Sequence, residues 1–375
     1  CAGERLSGSP ETVVGRVCTD SRQVQPNDLF VALEGEKFDG HGFLAEVTSR
    51  GAVAALVRRA KIPDHWNGCA LIAVEDTRPA LGRLAAGYRR EFALPMIAVG
   101  GSNGKTTTKE LLAAVLGAGL RTLASQASFN NDIGVPLTLL NLERAHQAVV
   151  LEVGTNHPGA LAPLVKLIRP QYGVITSIGR EHLEFFRDLE GVAAEEGQLA
   201  ELLPAQGKLF INGDCPESVK IGRRTKAEVV RVGLASTNDW RARNIRMDES
   251  GMRFQVDAPD GDHSGEYELK LLGRHQSVNA LLAIAVGREL GLNRGQIRAG
   301  LAKCSAPKMR LQLWTVRDVR VLDDSYNANA DSMRAALETL REFPCSGRRI
   351  AVLGDMAELG VNGLDAHAEV GRHAA

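Results

Sequence analysis

The stretch Met-Ile-Ala-Val-Gly-Gly-Ser-Asn-Gly-Lys-Thr-Thr-Thr-Lys-Glu at 96–110 constrains the fold more than any other part of the chain. Its first five residues read as a buried strand. From Lys105 onward, Leu111, Leu112, Val115 and Leu116 share one helical face. A glycine-rich turn joining an apolar strand to a helix is the unit from which α/β folds with parallel sheets are built. The strict phosphate-loop pattern G-x-x-x-x-G-K-[ST] is not met, because Val99 stands where its first glycine belongs. The shorter form at 101–106 remains. Its glycines would let backbone N–H groups approach phosphate oxygens, Lys105 would reach the terminal phosphates, and Thr106 would offer a hydroxyl to Mg²⁺. An ordinary strand–turn–helix fits the same letters, but the position at a strand end and helix start favours the anion site.

The rest of the chain extends this α/β pattern. Near-continuous apolar runs at 148–153 and 173–177 predict buried parallel strands, and helical patterns lie between them. Short runs at 28–33, 52–57 and 70–74 and a helix at 79–90 form an earlier region, 1–92. A central region, 93–306, ends in alternating antiparallel runs across 229–272 and a helix at 277–290. A last region, 307–375, offers a strand at 319–323, a helix at 332–343 and a strand at 349–353, the opening of a Rossmann-like unit. Its roughly 65 residues are short for a doubly wound domain, so a cut C-terminus is expected; Cys1 in place of Met suggests the same of the start.

Charge excludes some partners. Lys and Arg number 45 and Asp and Glu 45, so no global field draws the chain to nucleic acid or an anionic membrane. Six scattered cysteines without a C-x-x-C pair give no zinc spacing, and a reducing cytoplasm is the default. No apolar run has the length of a membrane span.

Further candidates sit at strand ends. Glu152 closes the run 148–152 and should lie near the loop, where it could hold Mg²⁺ or serve as a cap. His182, in Gly179-Arg180-Glu181-His182, follows the next strand and could face the same crevice as a metal ligand or a structural histidine. Ser21 and Arg22 could hold a phosphate or a uracil edge, or form a polar turn. Asn130 and Asn131 are equally open between an amide-rich loop and a substrate contact.

Taken together, several motifs resemble the Mur ligase family of ATP-dependent amide ligases. They are Gly101-Ser102-Asn103-Gly104-Lys105-Thr106-Thr107 and Gly273-Arg274-His275-Gln276-Ser277-Val278-Asn279-Ala280. Leu322-Asp323-Asp324-Ser325-Tyr326-Asn327-Ala328-Asn329, Leu353-Gly354-Asp355-Met356-Ala357-Glu358, Asp20-Ser21-Arg22 and Asp39-Gly40-His41 complete the set. The resemblance implies three domains around a P-loop-type sheet. It implies ligation of D-Ala-D-Ala to UDP-MurNAc-tripeptide through an acyl phosphate, with ATP and Mg²⁺, by a cytoplasmic monomer. Lys105 would neutralise the γ-phosphate, Thr106 and Glu152 would hold one Mg²⁺, and His182 a second. Gly101, Ser102, Asn103, Gly104, Thr107, His275, Asn279, Arg310 and Asp324 would contact ATP. Ser21, Arg22, Asn130, Asn131, Thr155, Asn327 and Asn329 would contact the other substrates.

Three positions depart from the family pattern. Glu196 stands where relatives carry a carbamoylated lysine, either as a permanent carboxylate or as an exposed helix glutamate. Gln276 and Ala330 replace an expected Asn and Pro. A MurE-type member would carry D-N-P-R in its third domain, and the chain has none. A kinase and an ATP-binding protein without turnover are the readings from other classes.

Overall fold

The computed structural model describes residues 3–375. The chain forms two compact units, Cys1–Ala93 with Phe129–Arg144, and Leu94–Ser128 with Ala145–Ala375.

In the first unit, strands Arg16–Cys18, Asp28–Val31, Ala54–Arg58 and Ala70–Val74 run parallel, and Glu4–Arg5 pairs antiparallel at one edge. Their apolar side chains are covered on one face by helix Leu44–Ser49 and on the other by helix Thr77–Arg89. The latter starts where Asp76 accepts the N–H of Arg78, an N-cap that places Pro79 in the first turn. Helix Gly134–Leu139 packs with this unit.

The second unit holds a nine-stranded sheet in the order Gly265–Leu269, Gly251–Asp257, Trp240–Asp248, Glu228–Gly233, Lys208–Asn212, Tyr172–Ile175, Met96–Gly100, Ala148–Glu152, Thr122–Ala124. It is mostly parallel, as the apolar runs predict; only Trp240–Asp248, Gly251–Asp257 and Gly265–Leu269 pair antiparallel with one another. Glu228–Gly233, expected among those antiparallel strands, instead runs parallel to both its neighbours. The chain changes sides around Met96–Gly100, which lies between the later strands Ala148–Glu152 and Tyr172–Ile175. Such a switch point opens a crevice beyond the carboxyl end of the strand, where ligands of open α/β sheets bind.

Helix Lys105–Leu116 covers the sheet with Leu111, Leu112, Val115 and Leu116, none of which is exposed. Burying each such side chain contributes about 1.5–3 kcal/mol. Gly300 permits another helix to approach closely, since a Cβ there would stand 2.5 Å from the Val115 Cα. Helix Gln276–Glu289 is buried nearly all round, as a helix between two layers must be.

Beyond the sheet, Gln312–Val316 and Val319–Asp323 form an antiparallel hairpin, followed by helices Ala330–Glu342 and Gly363–Ala374. The strand expected at 349–353 does not form. No strand among the described residues pairs with it, and Ile350 and Val352 remain exposed. β-propensity without a ladder partner leaves an extended, solvated segment.

Candidate active site at the carboxyl end of the central sheet

The turn after Met96–Gly100 needs its glycines. Gly101 adopts φ +115°, and a Cβ there would stand 2.5 Å from Thr176 Oγ1; Gly104 adopts φ +88° and starts the helix. The end of the neighbouring strand Tyr172–Ile175 fastens the loop. Ser102 N–H donates to Ser177 O at 2.7 Å, its hydroxyl bonds Gly179, and Thr176 and Ser177 hydroxyls donate to Asn103 O at 2.7 and 3.1 Å. Thr107 is buried in the helix's first turn.

Charge is concentrated beneath this loop. Lys105 Nζ donates to Gly101 O, to Ser102 O at 3.2 Å and toward Glu181 Oε2 at 3.5 Å. Burial works against its charge, but Glu181, Glu196 and Glu152 outweigh that and raise its pKa. Burial pushes Glu181 up to about 7, opposed by Lys105. Glu196 has no exposed surface, which removes the exposed-helix alternative. It accepts the Gly101 N–H at 2.6 Å, and its Oε1 has no hydrogen-bond partner. Burial raises its pKa as well, while the Lys105 cation opposes the shift.

Glu152 ends its strand beside Val99 and is almost wholly buried, so its carboxylate shares the sheet end with the loop. His182 takes a left-handed conformation, φ 50°. Its Nδ1 bonds the Glu358 carboxylate, and its Nε2 lies 3.9 Å from Glu181 Oε2. A non-glycine residue held there is the kind of local strain that packing must impose.

The later motifs reach the same place. Asn279 stands against Gly104 and donates to Gln276 Oε1 at 2.8 Å, so the Gln that replaces an expected Asn holds its neighbour. His275 precedes that helix, and burial brings its pKa down to about 4, which keeps the ring neutral. Arg310 donates to Thr106 Oγ1 at 3.2 Å and lies over the Tyr326 ring, 4.2 Å from its centroid. Asp324 accepts the Leu311 N–H at 3.1 Å, and burial raises its pKa to about 6. Asn329 and Asn103 exchange side-chain hydrogen bonds, 2.9 and 3.4 Å. Asn327 Oδ1 accepts the N–H of the next residue, Ala328, at 2.9 Å. Thr155 donates to His157 O at 2.7 Å in the loop after Glu152.

The remaining candidates belong to the first unit. Arg22 pairs with Asp20 at 2.9 Å with its side chain largely exposed, and Ser21 lies in the same turn. Asn131 Oδ1 accepts the N–H groups of Ile133 and Gly134, so it serves the start of the next helix. Asn130 lies beside it in sequence.

Sequence reasoning passed over several groups. Glu181 and Glu358 lie within the motifs Gly179-Arg180-Glu181-His182 and Leu353-Gly354-Asp355-Met356-Ala357-Glu358, and a carboxylate in a polar turn beyond an apolar run was the available signal. Arg180 bridges Asp331 at 2.9 Å and Glu369 at 2.7 Å, and no local pattern announces such a pair.

Comparison with known proteins agrees with this geometry. Family models match along the chain: the Mur ligase family catalytic domain over 14–89, the Mur ligase middle domain over 99–287, and the Mur ligase glutamate ligase domain over 309–375. The UDP-N-acetylmuramoyl-tripeptide–D-alanyl-D-alanine ligase of Escherichia coli is 40% identical over 364 residues, 96% of this chain and 78% of that protein. Its Bacillus subtilis counterpart is 34% identical over 93% of this chain and 75% of its own length. MurF from Acinetobacter baumannii superposes with a TM-score of 0.89 at 34% identity, covering 98% of this chain and 79% of that one. MurF ligase from Thermotoga maritima in complex with ADP gives 0.85 at 27% identity, over 97% and 83%. The chain belongs to the Mur ligase family.

Proposed function

We propose that the chain is an ATP-dependent amide ligase that joins D-Ala-D-Ala to UDP-MurNAc-tripeptide in peptidoglycan precursor synthesis. The observation that carries this reading is the Lys105 ammonium, stationed at a glycine loop on the sheet's switch point and surrounded by buried carboxylates. The named relatives support the choice of substrates.

In the reaction, an oxygen of the terminal carboxylate attacks the γ-phosphorus of ATP, and ADP leaves. The amine of D-Ala-D-Ala then adds to the acyl carbon, gives up its proton, and phosphate is expelled. One ADP and one phosphate form per amide bond. Phosphoryl transfer needs charge neutralisation and in-line positioning more than covalent help. The backbone N–H groups after Ser102, where helix Lys105–Leu116 begins, and the Lys105 ammonium would cradle the phosphates, with Gly101 and Ser102 holding the loop in shape. Asn279, His275, Arg310 and Asp324 would surround the rest of ATP. Ser21, Arg22, Asn130, Asn131, Thr155, Asn327 and Asn329 would contact the acceptor and the dipeptide. Neutral His275 can accept as well as donate a hydrogen bond.

The donor set fits Mg²⁺, because Thr106 and Glu152 present oxygen atoms, the donors this ion prefers. His182 would offer Nε2 to a second ion, its Nδ1 being fixed by Glu358 as ligating histidines usually are. Bound there, the metal would offset phosphate charge and polarise the acceptor carboxylate. The division into 1–92, 93–306 and 307–375, a monomeric state and a cytoplasmic location belong to the same proposal. No helix among the described residues is long and apolar enough to cross a membrane.

The test is phosphate release with ATP, Mg²⁺ and UDP-MurNAc-tripeptide, with and without D-Ala-D-Ala. Release that requires both acceptor and dipeptide is the expected result. Release indifferent to the dipeptide would point instead to a kinase, and none at all to an ATP-binding protein without turnover.

A further inference from the structure

Helix Leu189–Glu196 ends in two adjacent carboxylates that serve different loops. Glu196 takes the Gly101 N–H of the phosphate loop. Glu195, 8% exposed, accepts the Gly159 N–H at 2.9 Å through Oε2 and the Leu161 N–H at 2.8 Å through Oε1. Leu161 opens helix Leu161–Ile168, whose own N-cap, Ala160, has no side chain able to accept. The first N–H groups of a helix need acceptors from somewhere.

A cap alone would require only Leu161. Gly159 lies outside the helix, at the exposed end of the turn that begins at the buried Thr155 and includes His157, and Glu195 holds it too. Two oxygens on two N–H groups fix that turn in both position and orientation, and such charge-assisted bonds are the stronger kind. The loop leaves the carboxyl end of Ala148–Glu152, next to the strand that carries the phosphate loop.

We propose that Glu195 is a positioning residue that sets the Thr155 loop for the carboxylate-bearing acceptor, as Glu196 sets the neighbouring loop for phosphate. One helix end thereby aligns the two reactants. The proposal rests on the ligase reading above.

The experiment uses the whole chain and its Glu195→Ala and Glu195→Gln variants. Amide hydrogen exchange is followed at 156–161 and 101–105, and affinities for UDP-MurNAc-tripeptide and for ATP are measured by calorimetry. Glu195→Ala should speed exchange at 156–161 and weaken the acceptor about tenfold, the scale of a lost bond to a charged group. Exchange at 101–105 and ATP affinity should stay within about twofold on the same scale. Glu195→Gln keeps one accepting oxygen and should recover part of the acceptor affinity. Unchanged exchange at 156–161, or equal weakening of both ligands with a lower Tm, would overturn the proposal. Dipeptide-dependent phosphate release by the unsubstituted chain tests the ligase reading separately. Its absence counts against that reading, while the exchange at 156–161 still decides whether Glu195 holds the loop.

Discussion

Each unit ends a parallel strand in a polar turn, and the two turns are built in opposite ways. After Met96–Gly100, the backbone is fixed by hydroxyls from the neighbouring strand end, and Glu181 and Glu196 lie buried beneath it beside the mostly covered Lys105. After Arg16–Cys18, the Asp20 carboxylate gathers the Arg22 guanidinium and the Gln23 amide at the surface, and Arg22 stays 83% exposed. Buried charges act in low dielectric and cannot relax, which suits stabilising charge that develops during a reaction. Exposed charges are screened and mobile, which suits recognition of a ligand that brings its own charge. Chemistry and recognition are thus expected to separate between the turns.

The largest effect should come from Lys105→Ala, which is expected to cut phosphate release by at least about a thousandfold. Circular dichroism should show the fold retained; turnover that survives would end the comparison, since the buried turn would then not be the reacting one. Glu196→Ala leaves the Gly101 N–H buried without its acceptor. Steady-state kinetics should show a loss of about ten- to a hundredfold, which Glu196→Gln, with one oxygen in place, should partly restore. Glu196 is a carboxylate without modification, so depletion of bicarbonate should leave the rate unchanged. For the exposed turn, Arg22→Ala should raise the KM for the nucleotide-linked acceptor by about tenfold or less and leave kcat alone. A fall in kcat would erase the distinction drawn here.

The smallest expected effect is a pH dependence. Asp324 has a folded pKa raised to about 6 from 3.8, mainly by burial. The folded state therefore holds this proton more tightly, so its contribution to stability is full below about 3.8 and is lost as pH rises to about 6. Asp324→Asn keeps an oxygen for the Leu311 N–H without the charge. Thermal melts should show the variant gaining about 1 kcal/mol over the parent above pH 6, with no gain near pH 4. The full linkage value of about 3 kcal/mol is cut by solvent screening of this part-exposed carboxylate.

Much of the turn at 101–104 was legible because its letters are local. An apolar strand, glycines required at positive φ and a helix face spaced by turns lie within about twenty residues. Glu152 was legible as a charge closing an apolar run. Glu181, Arg180 and Glu195 were not, because each finds its partners only through the fold: Arg180 pairs with a residue 189 positions away, and Glu195 caps a helix that precedes it. The segment at 349–353 shows the converse, a strand-like pattern without the pairing that makes a strand. The exposure of Arg22 was equally invisible, since a polar turn reads the same whether buried or solvated.

The Asn103–Asn329 pair carries a last consequence. Asn329 Oδ1 accepts the Ser332 N–H at 2.8 Å as the cap of helix Ala330–Glu342, so its amide has only one satisfactory orientation. Its Nδ2 must then face Asn103 Oδ1, at 2.9 Å. The polarity of the loop's asparagine is therefore written by a helix start 226 positions downstream. Exchanging that one nitrogen for oxygen, as in Asn329→Asp, would keep the cap and turn the Asn103 amide over, so that the loop presents its Nδ2 to the helix start in place of its Oδ1.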